Sequence, residues 1–433
     1  MLRMDFDALV IGAGPGGSSA ATFLARAGRR VLVLEKECFP RFHIGESLLP
    51  YNRQIFEAMG VLPVLEAAGF IKKFGAQFHL GDGTKQNHLR FRDGTFTREP
   101  QAIQVERATF DHLLLKHARA CGADVREGWT VGRFTADAAG VTVQARDPAG
   151  VGHEFRAAFL IDASGRGNLT GNQEGLRVVH PHLKKVAVFG HFAGVPVDPG
   201  EAGGDTVIIR LENKWFWLIP LAPDKVSVGC VMDRDEFAAA QGTPAAVFQR
   251  LVQSSPPMRE RMQHARPLCP VQTTGDFSYH NRRLVGPRLL RVGDAAGFMD
   301  PIFSAGVYLA MWSGQLAAEA VIASWHQGEA GARRLAAYEK RVRRAMRLYL
   351  GLVERFYTSP FVEVLLEPRE KWDLPSALNA VLAWELAGGW RVWWRLRVLF
   401  LVVKLQAHWP LVPRLAYLGR AATPGRELAE AKP

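Results

Sequence analysis

Gly12, Gly14 and Gly17 stand in the run Gly12-Ala13-Gly14-Pro15-Gly16-Gly17, directly after the apolar residues 7–11 and before the small-residue stretch 18–27. Glu35 follows eighteen residues past the last of these glycines. Residue types at this spacing make a nucleotide site. The first glycine permits a tight turn, Gly14 lets the backbone approach a pyrophosphate, and Gly17 lets helix and strand pack closely. The phosphates then rest at the positive N-terminus of a helix, and the Glu35 carboxylate can accept from ribose hydroxyls. A glycine triplet alone is weak evidence. Here the strand, the helix, the acid and a second strand at Val31-Leu32-Val33-Leu34 complete a βαβ unit.

A second group of residues could shape the space beside such a cofactor. Trp215-Phe216-Trp217-Leu218-Ile219-Pro220 places two indoles and a phenyl ring in three positions. In an extended strand Trp215 and Trp217 face one way and Phe216 the other. The pair then either walls a cavity or fills an ordinary buried core strand.

These residues need a large scaffold. The chain has 433 residues, 48% of them hydrophobic and 22% charged, which fits a globular protein of two or three domains and excludes disorder and a polytopic membrane protein. Apolar alternation runs from about residue 75 to 155, interrupted by a helix near residues 110–121, and Ala158-Phe159-Leu160-Ile161-Asp162 reads as a strand rejoining the first sheet. Strand patterns dominate again from about 180 to 275. A strand near 289–292 then leads into a long helix over about 306–325, and the remainder is helical. The fold class is α/β: a Rossmann-like dinucleotide domain from residues 1–75, 100–180 and 280–330, an inserted β-rich substrate domain from 76–99 and 181–279, and a helical C-terminal region over 331–433.

Only five residues precede the first strand, so no cleavable signal peptide is expected. Cys38, Cys121, Cys230 and Cys269 lack CxxC spacing, which argues against a disulfide framework or a metal site. All four read as core thiols of a cytoplasmic protein. The formal charge of +12 asks for an anionic partner, yet no nucleic-acid motif is present. Six of the eleven tryptophans lie after residue 370, and Trp390-Arg391-Val392-Trp393-Trp394-Arg395-Leu396-Arg397 interleaves indoles with guanidiniums. One reading of this tail is a helical cap with snorkelling arginines. The other is peripheral membrane contact, and hence membrane association.

Further segments carry a resemblance to known proteins. Arg291-Val292-Gly293-Asp294-Ala295-Ala296-Gly297 resembles the second FAD fingerprint of the aromatic hydroxylase superfamily, which implies that Asp294 and Gly297 contact the cofactor. Leu160-Ile161-Asp162-Ala163-Ser164-Gly165 and Gln104-Val105-Glu106-Arg107 are similar to two more of its motifs, adding Asp162 and Arg107. The likeness sharpens to the flavin-dependent halogenases over most of the first 330 residues. Residues 38–50, with Gly45-Glu46-Ser47, look like that family's loop beside the flavin, so Glu46 and Ser47 are implied cofactor contacts. Trp215 to Pro220 matches the family's WxWxIP motif. Asp300-Pro301-Ile302-Phe303-Ser304-Ala305-Gly306-Val307 resembles the loop that holds halide, which implies halide binding at Ala305 and Gly306 and a cavity wall from Pro301 and Phe303. Gly69-Phe70-Ile71-Lys72-Lys73-Phe74-Gly75-Ala76 resembles the segment with the essential lysine, best aligned with Lys73.

The chemistry so implied uses FAD, delivered reduced by a separate flavin reductase, with oxygen and a halide ion. Halide is oxidised to hypohalous acid, and Lys73 directs it to the substrate through a hydrogen bond or as a haloamine. The indole pair keeps the organic substrate from the flavin. Halogenases of free tryptophan resemble this loop but carry a glutamate where Phe303 stands, so the implied substrate is a phenol or pyrrole, free or tethered to an acidic carrier protein. Alternative readings are an FAD monooxygenase, a geranylgeranyl-reductase-like enzyme, and a flavin-binding protein without turnover. Lys73 also has the reading of a surface lysine beside Lys72.

Overall fold

The computed structural model describes residues 4–137, 139–325, 328–367, 374–383 and 389–418. Three other stretches of the tail, 368–373, 384–388 and 419–433, lie outside the described residues.

The first sheet grows from valine, leucine and isoleucine runs that are buried on both faces, as parallel strands covered by helices require. Phe6–Ile11 lies between Gly152–Asp162 and Val31–Glu35, with Leu9 beside Leu160 and Leu32. Leu289–Arg291 and Asp124–Glu127 extend it on either side, both parallel. Thr130–Ala136 and Val141–Arg146 join as an antiparallel ribbon. Helix Pro15–Arg26 leaves the glycine turn and packs against the long helix Ala305–Ser324. The helices touch through small residues: a Cβ at Gly314 would lie 2.4 Å from the Gly16 carbonyl oxygen.

The second sheet is mostly antiparallel. Arg177–Ala193, Lys225–Asp233, Trp215–Ala222, Thr206–Arg210 and Gly75–Leu80 are consecutive neighbours in it, the last two parallel to each other. Alternation along Trp215–Ala222 sends its side chains into different cores. Trp215 and Trp217 join the cluster that holds Phe189 and Ile302, and Phe216 packs edge-on against Phe248 in another.

Past residue 327 the described chain is helical, as its composition implies: Gly328–Phe356, Ser359–Leu366, Leu374–Leu382 and Trp390–His408. The last of these buries Val392, Leu396, Leu399 and Val403, a three-to-four spacing that docks one face on the body. No helix among the described residues is long and apolar enough to cross a membrane. The cysteine expectation is corrected. Only Cys230 is buried, Cys121 and Cys269 are half-buried, and Cys38 is exposed.

Room for the Trp217 indole comes from a glycine across the ladder. Gly229 pairs with Trp217, and a Cβ there would lie 2.2 Å from the indole and 2.6 Å from Phe189 Cβ. Gly229→Ala is expected to push the ring off its site at a cost of about 1–3 kcal/mol, read as a lower urea midpoint together with a changed tryptophan emission.

Candidate active site

A cavity of about 560 Å³ runs from the glycine turn to the tryptophan pair. Gly12, at φ +91°, turns so tightly that a Cβ would meet the Ala163 carbonyl oxygen at 2.5 Å. Gly14 differs, because a Cβ there would meet only Arg41 Nη2, at 3.6 Å, so its backbone faces open cavity. Gly17 packs instead of lining the cavity; its Cβ would lie 1.9 Å from the Gly12 carbonyl oxygen. Glu35 ends its strand at the cavity wall, accepting from Ala13 N at 2.7 Å and Glu37 N at 2.9 Å. Each carboxylate oxygen keeps a second lone pair for a ligand.

The loop over residues 41–47 and the helix Arg107–Ala120 build the next section of wall. Asp111 is buried and takes a bidentate pair from Arg107 at 2.7 and 2.9 Å, and a third bond from Arg41 at 2.8 Å. Burial works to raise the Asp111 pKa, but Arg107 and Arg41 hold it below the ordinary carboxylate range. Arg107 also donates to the carbonyl of Ile44 at 3.0 Å, fixing the loop so that Gly45, Glu46 and Ser47 face the cavity. Glu46 is 1% exposed, with one oxygen 2.6 Å from His191 Nε2 and the other without a hydrogen-bond partner among the described residues. Asp294 lines the opposite side, and burial raises it to about 6 against the pull of Arg166 and Arg107.

Two cofactor expectations are corrected. Asp162 does not line the cavity, because Ser164 N, Thr170 N and Thr170 Oγ1 donate to its buried carboxylate at 2.9, 2.9 and 2.5 Å. It fixes the turn after its strand. Gly297 serves packing, since a Cβ there would lie 2.4 Å from Met346 Cε and 2.8 Å from the Tyr279 carbonyl oxygen.

At the far end Trp215 and Trp217 line the cavity with ring centroids 5.9 Å apart. Trp217 Nε1 donates to Ser227 Oγ at 3.1 Å. Trp215 Nε1 donates to the Tyr357 hydroxyl at 2.9 Å, which donates to Asp300 at 2.6 Å. Burial raises Asp300 to about 6, while the Tyr357 hydroxyl and Ile302 N pull it down. A residue just past the helix Gly328–Phe356 thus ties the indole wall to the loop over residues 300–306. Tyr357 and Asp300 had no assigned role in the sequence. Nor had Asp111, although its i,i+4 spacing from Arg107 is the local signal that could have found it.

Around that loop the structure separates the expected residues. Pro301, Ile302 and Gly306 line the cavity. Phe303 does not, which corrects its expected place in the wall. In the tight turn Pro301–Phe303 it points into a separate hollow of about 30 Å³ and packs edge-on against Phe356 at 6.0 Å. Ala305 lines only that hollow, beside Asp294 and Asp300, whereas Gly306 borders both spaces. Two carboxyl groups make the hollow a poor place for an anion. Gly306, in the first turn of a twenty-residue helix and with nothing within 4 Å of a Cβ, offers the anion-favouring end.

Lys73 points inward. In the edge strand Ile71–Lys73 alternation leaves Lys72 exposed and Lys73 only 2% exposed. Its Nζ donates to Ser47 Oγ at 2.8 Å and to the Leu48 carbonyl at 3.2 Å, and lies 5.6 Å from the Phe91 ring centroid. Burial lowers its pKa to about 8, opposed by Asp205. Lys73 is not among the lining residues; Ser47 and Thr206, whose hydroxyls are 2.9 Å apart, are.

An elongated cavity with a glycine cradle, a carboxylate at the second strand and the unpartnered Glu46 oxygen fits a flavin dinucleotide. Residues 5–350 match the family described as the FAD binding domain. The 1H-pyrrole-2-carbonyl-(peptidyl-carrier protein) chlorinase of Pseudomonas fluorescens is 28% identical over 87% of this chain and 89% of its own. Tryptophan 2-halogenase of Chondromyces crocatus is 34% identical over 72% of this chain and 60% of its own. The solved flavin-dependent brominase Bmp2 superposes with a TM-score of 0.80 at 27% identity, covering 93% of this chain and all of its own. Fold and cavity define an FAD-binding oxidoreductase. Within that class the chain belongs to the flavin-dependent halogenases, being 33% identical to the 1H-pyrrole-2-carbonyl-(peptidyl-carrier protein) brominase of Pseudoalteromonas luteoviolacea over 73% of this chain and 77% of its own.

Two outcomes follow for variants of the wall. Gly14→Val is expected to fold but to lose FAD, because the side chain fills the space facing the pyrophosphate; absorbance of the purified protein near 450 nm, on the order of a tenth of wild type or less, checks this. Tyr357→Phe leaves the Trp215 N–H and the Asp300 carboxylate without their partner at about 1–3 kcal/mol. The hydroxyl matters most when Asp300 is ionised. The deficit in urea stability should therefore be larger at pH 8 than at pH 5, below the Asp300 value of about 6.

Proposed function

We propose that this protein halogenates an electron-rich pyrrole or phenol presented on a carrier protein, with Lys73 as the group that directs the halogen. The observation that carries this reading is the buried lysine hydrogen-bonded to Ser47, a residue of the same cavity wall as the two indoles. FAD bound along the glycine turn, arriving reduced from a separate flavin reductase, supplies with oxygen the two-electron oxidation of a halide ion. The chain's residues do the rest. Gly12, Gly14, Glu35, Arg107 and Asp294 hold the cofactor, with Glu46 and Ser47 beside it. Gly306 holds the halide on the cavity side of the helix terminus, with Ala305 behind it. Trp215, Trp217 and Pro301 narrow the passage so that a small oxidised halogen species passes and an aromatic substrate does not.

Ser47 brings the lysine to the cavity. An ammonium at Nζ donates to the Ser47 hydroxyl, which can in turn donate into the cavity, and deprotonation near pH 8 makes the same nitrogen a nucleophile. A pyrrole or phenol needs no carboxylate to raise its reactivity, which suits a loop with Phe303 turned away into its own hollow. The chlorinase relative acts on a carrier-bound pyrrole, in keeping with a carrier as partner here.

Mass spectrometry of products formed with reduced flavin, oxygen and either bromide or no halide tests the reading. A brominated pyrrole or phenol supports it, and a hydroxylated product independent of halide overturns it in favour of a monooxygenase. Lys73→Met should abolish halogenation with FAD still bound. It should also stabilise the fold at pH 7. The fall from 10.5 to about 8 corresponds to about 3 kcal/mol of cost for the buried ammonium, and the two lost hydrogen bonds return about 1 kcal/mol each. The net gain is about 1 kcal/mol. Because the folded-state pKa is the lower one, wild type gains on the variant as pH rises from about 8 toward 10.5, and urea midpoints across that range read it.

A further inference from the structure

The long helix Ala305–Ser324 has a second hollow across it from the flavin cavity. Gly306, Val307 and Ala310 line the cavity, whereas Tyr308 and Trp312, on the opposite face by helical periodicity, line a groove of about 1050 Å³. Helices Gly328–Phe356 and Trp390–His408 form its other walls. Arg341, Arg344, Arg347, Arg355 and Arg397 line it, and none of the described lining residues is acidic. Three of the five guanidiniums lie over rings: Arg344 over Trp393 at 4.6 Å, Arg355 over Phe400 at 4.1 Å and Arg341 over Trp312 at 5.9 Å. Stacking fixes each guanidinium plane while leaving its N–H edge able to grip a carboxylate or phosphate in bidentate fashion.

We propose that this groove is the docking surface for the acidic carrier domain that presents the substrate, an inference that rests on the carrier-tethered reading above. Charge decides the occupant. Five arginines without a carboxylate among the described lining residues ask for a partner rich in acid, and the chain as a whole carries a formal +12. Shape favours a protein over a lipid surface. Trp393 and Phe400 are folded into a concavity beneath guanidiniums, as a protein partner's side chains require, although the same helix and its C-terminal cap also expose Trp390, Leu401 and Trp409, so binding to vesicles is measured alongside. The groove and the flavin cavity lie on opposite faces of one helix.

The test uses the FAD-loaded full chain with reductase and bromide, and compares a pyrrole-2-carbonyl-loaded carrier domain with the same acyl group on free pantetheine. Arg341→Glu/Arg344→Glu, on one wall, and Arg397→Glu, on the other, are checked for unchanged FAD content and thermal midpoint. Expected is a rise in KM for the loaded carrier of about tenfold or more, with kcat and the pantetheine-thioester KM unchanged, and a wild-type carrier KM that climbs with salt. An unchanged carrier KM in both variants overturns the docking site while leaving the carrier-tethered reading intact. Wild-type turnover of the free thioester but not of the carrier sinks that reading, and the docking site with it. Binding to phosphatidylglycerol vesicles that both variants abolish, with carrier KM unmoved, assigns the groove to a membrane and likewise overturns the proposal.

Discussion

Close contact between two helices at Gly16 and Gly314 holds the candidate site in register. One helix begins at the cofactor's glycine turn and the other at the loop over residues 300–306, and a single added methyl at Gly314 would press to 2.4 Å from the Gly16 carbonyl oxygen. Ser19 Oγ bonds the Met311 carbonyl at 3.0 Å along the same seam. Because both helices are buried and backbone-close, the two N-termini that can attract anions face one cavity from fixed positions. The second sheet closes the cavity with Trp215 and Trp217, and Tyr357 bonds that wall to Asp300 in the loop. The site is thus braced by both sheets and by the helical region.

That bracing explains what could be read from the sequence and what could not. Local period and spacing were enough for the βαβ unit and for the opposite facing of the two tryptophans and Phe216, each of which depends on neighbours a few residues away. Lys73 was singled out only by the family resemblance, and its burial beside an exposed Lys72 came from the structure. Asp162 was misjudged because an acid after a strand looks free until Thr170, eight residues on, captures it. Tyr357 was missed because it lies 142 residues from Trp215, and nothing local marks a tyrosine at a helix end as an acceptor for an indole. Phe303 and Gly297 failed for a related reason: the motif placed their backbone correctly, but the helix Gly328–Phe356 sets which space their side chains fill or spare.

The buried lysine shows a cost that the fold carries at the group we propose directs the halogen. Nζ has two hydrogen-bond acceptors and no carboxylate in contact among the described residues, so desolvation outweighs the distant Asp205. A close carboxylate in the same pocket would stabilise the ammonium and raise the pKa, leaving less of the free amine that the proposed role uses. Asp205 is occupied elsewhere, accepting from Phe74 N at 2.9 Å and lying 2.6 Å from His88 Nε2. Those bonds hold the acid on the neighbouring turn, near enough to moderate the shift and too well engaged to neutralise the amine.

Charge is sorted along the molecule by the same logic. Around the flavin cavity Arg107 and Arg41 converge on Asp111, so their positive charge is partly spent on holding a loop in place. On the far side of the long helix Arg341, Arg344 and Arg355 lie over aromatic rings instead, and no acid among the described lining residues neutralises them. A ring fixes a guanidinium without cancelling its charge, which leaves the field available to something outside the molecule. The two faces of one helix therefore carry positive charge in different states, neutralised where a loop is positioned and left uncancelled where we propose that an acidic partner docks.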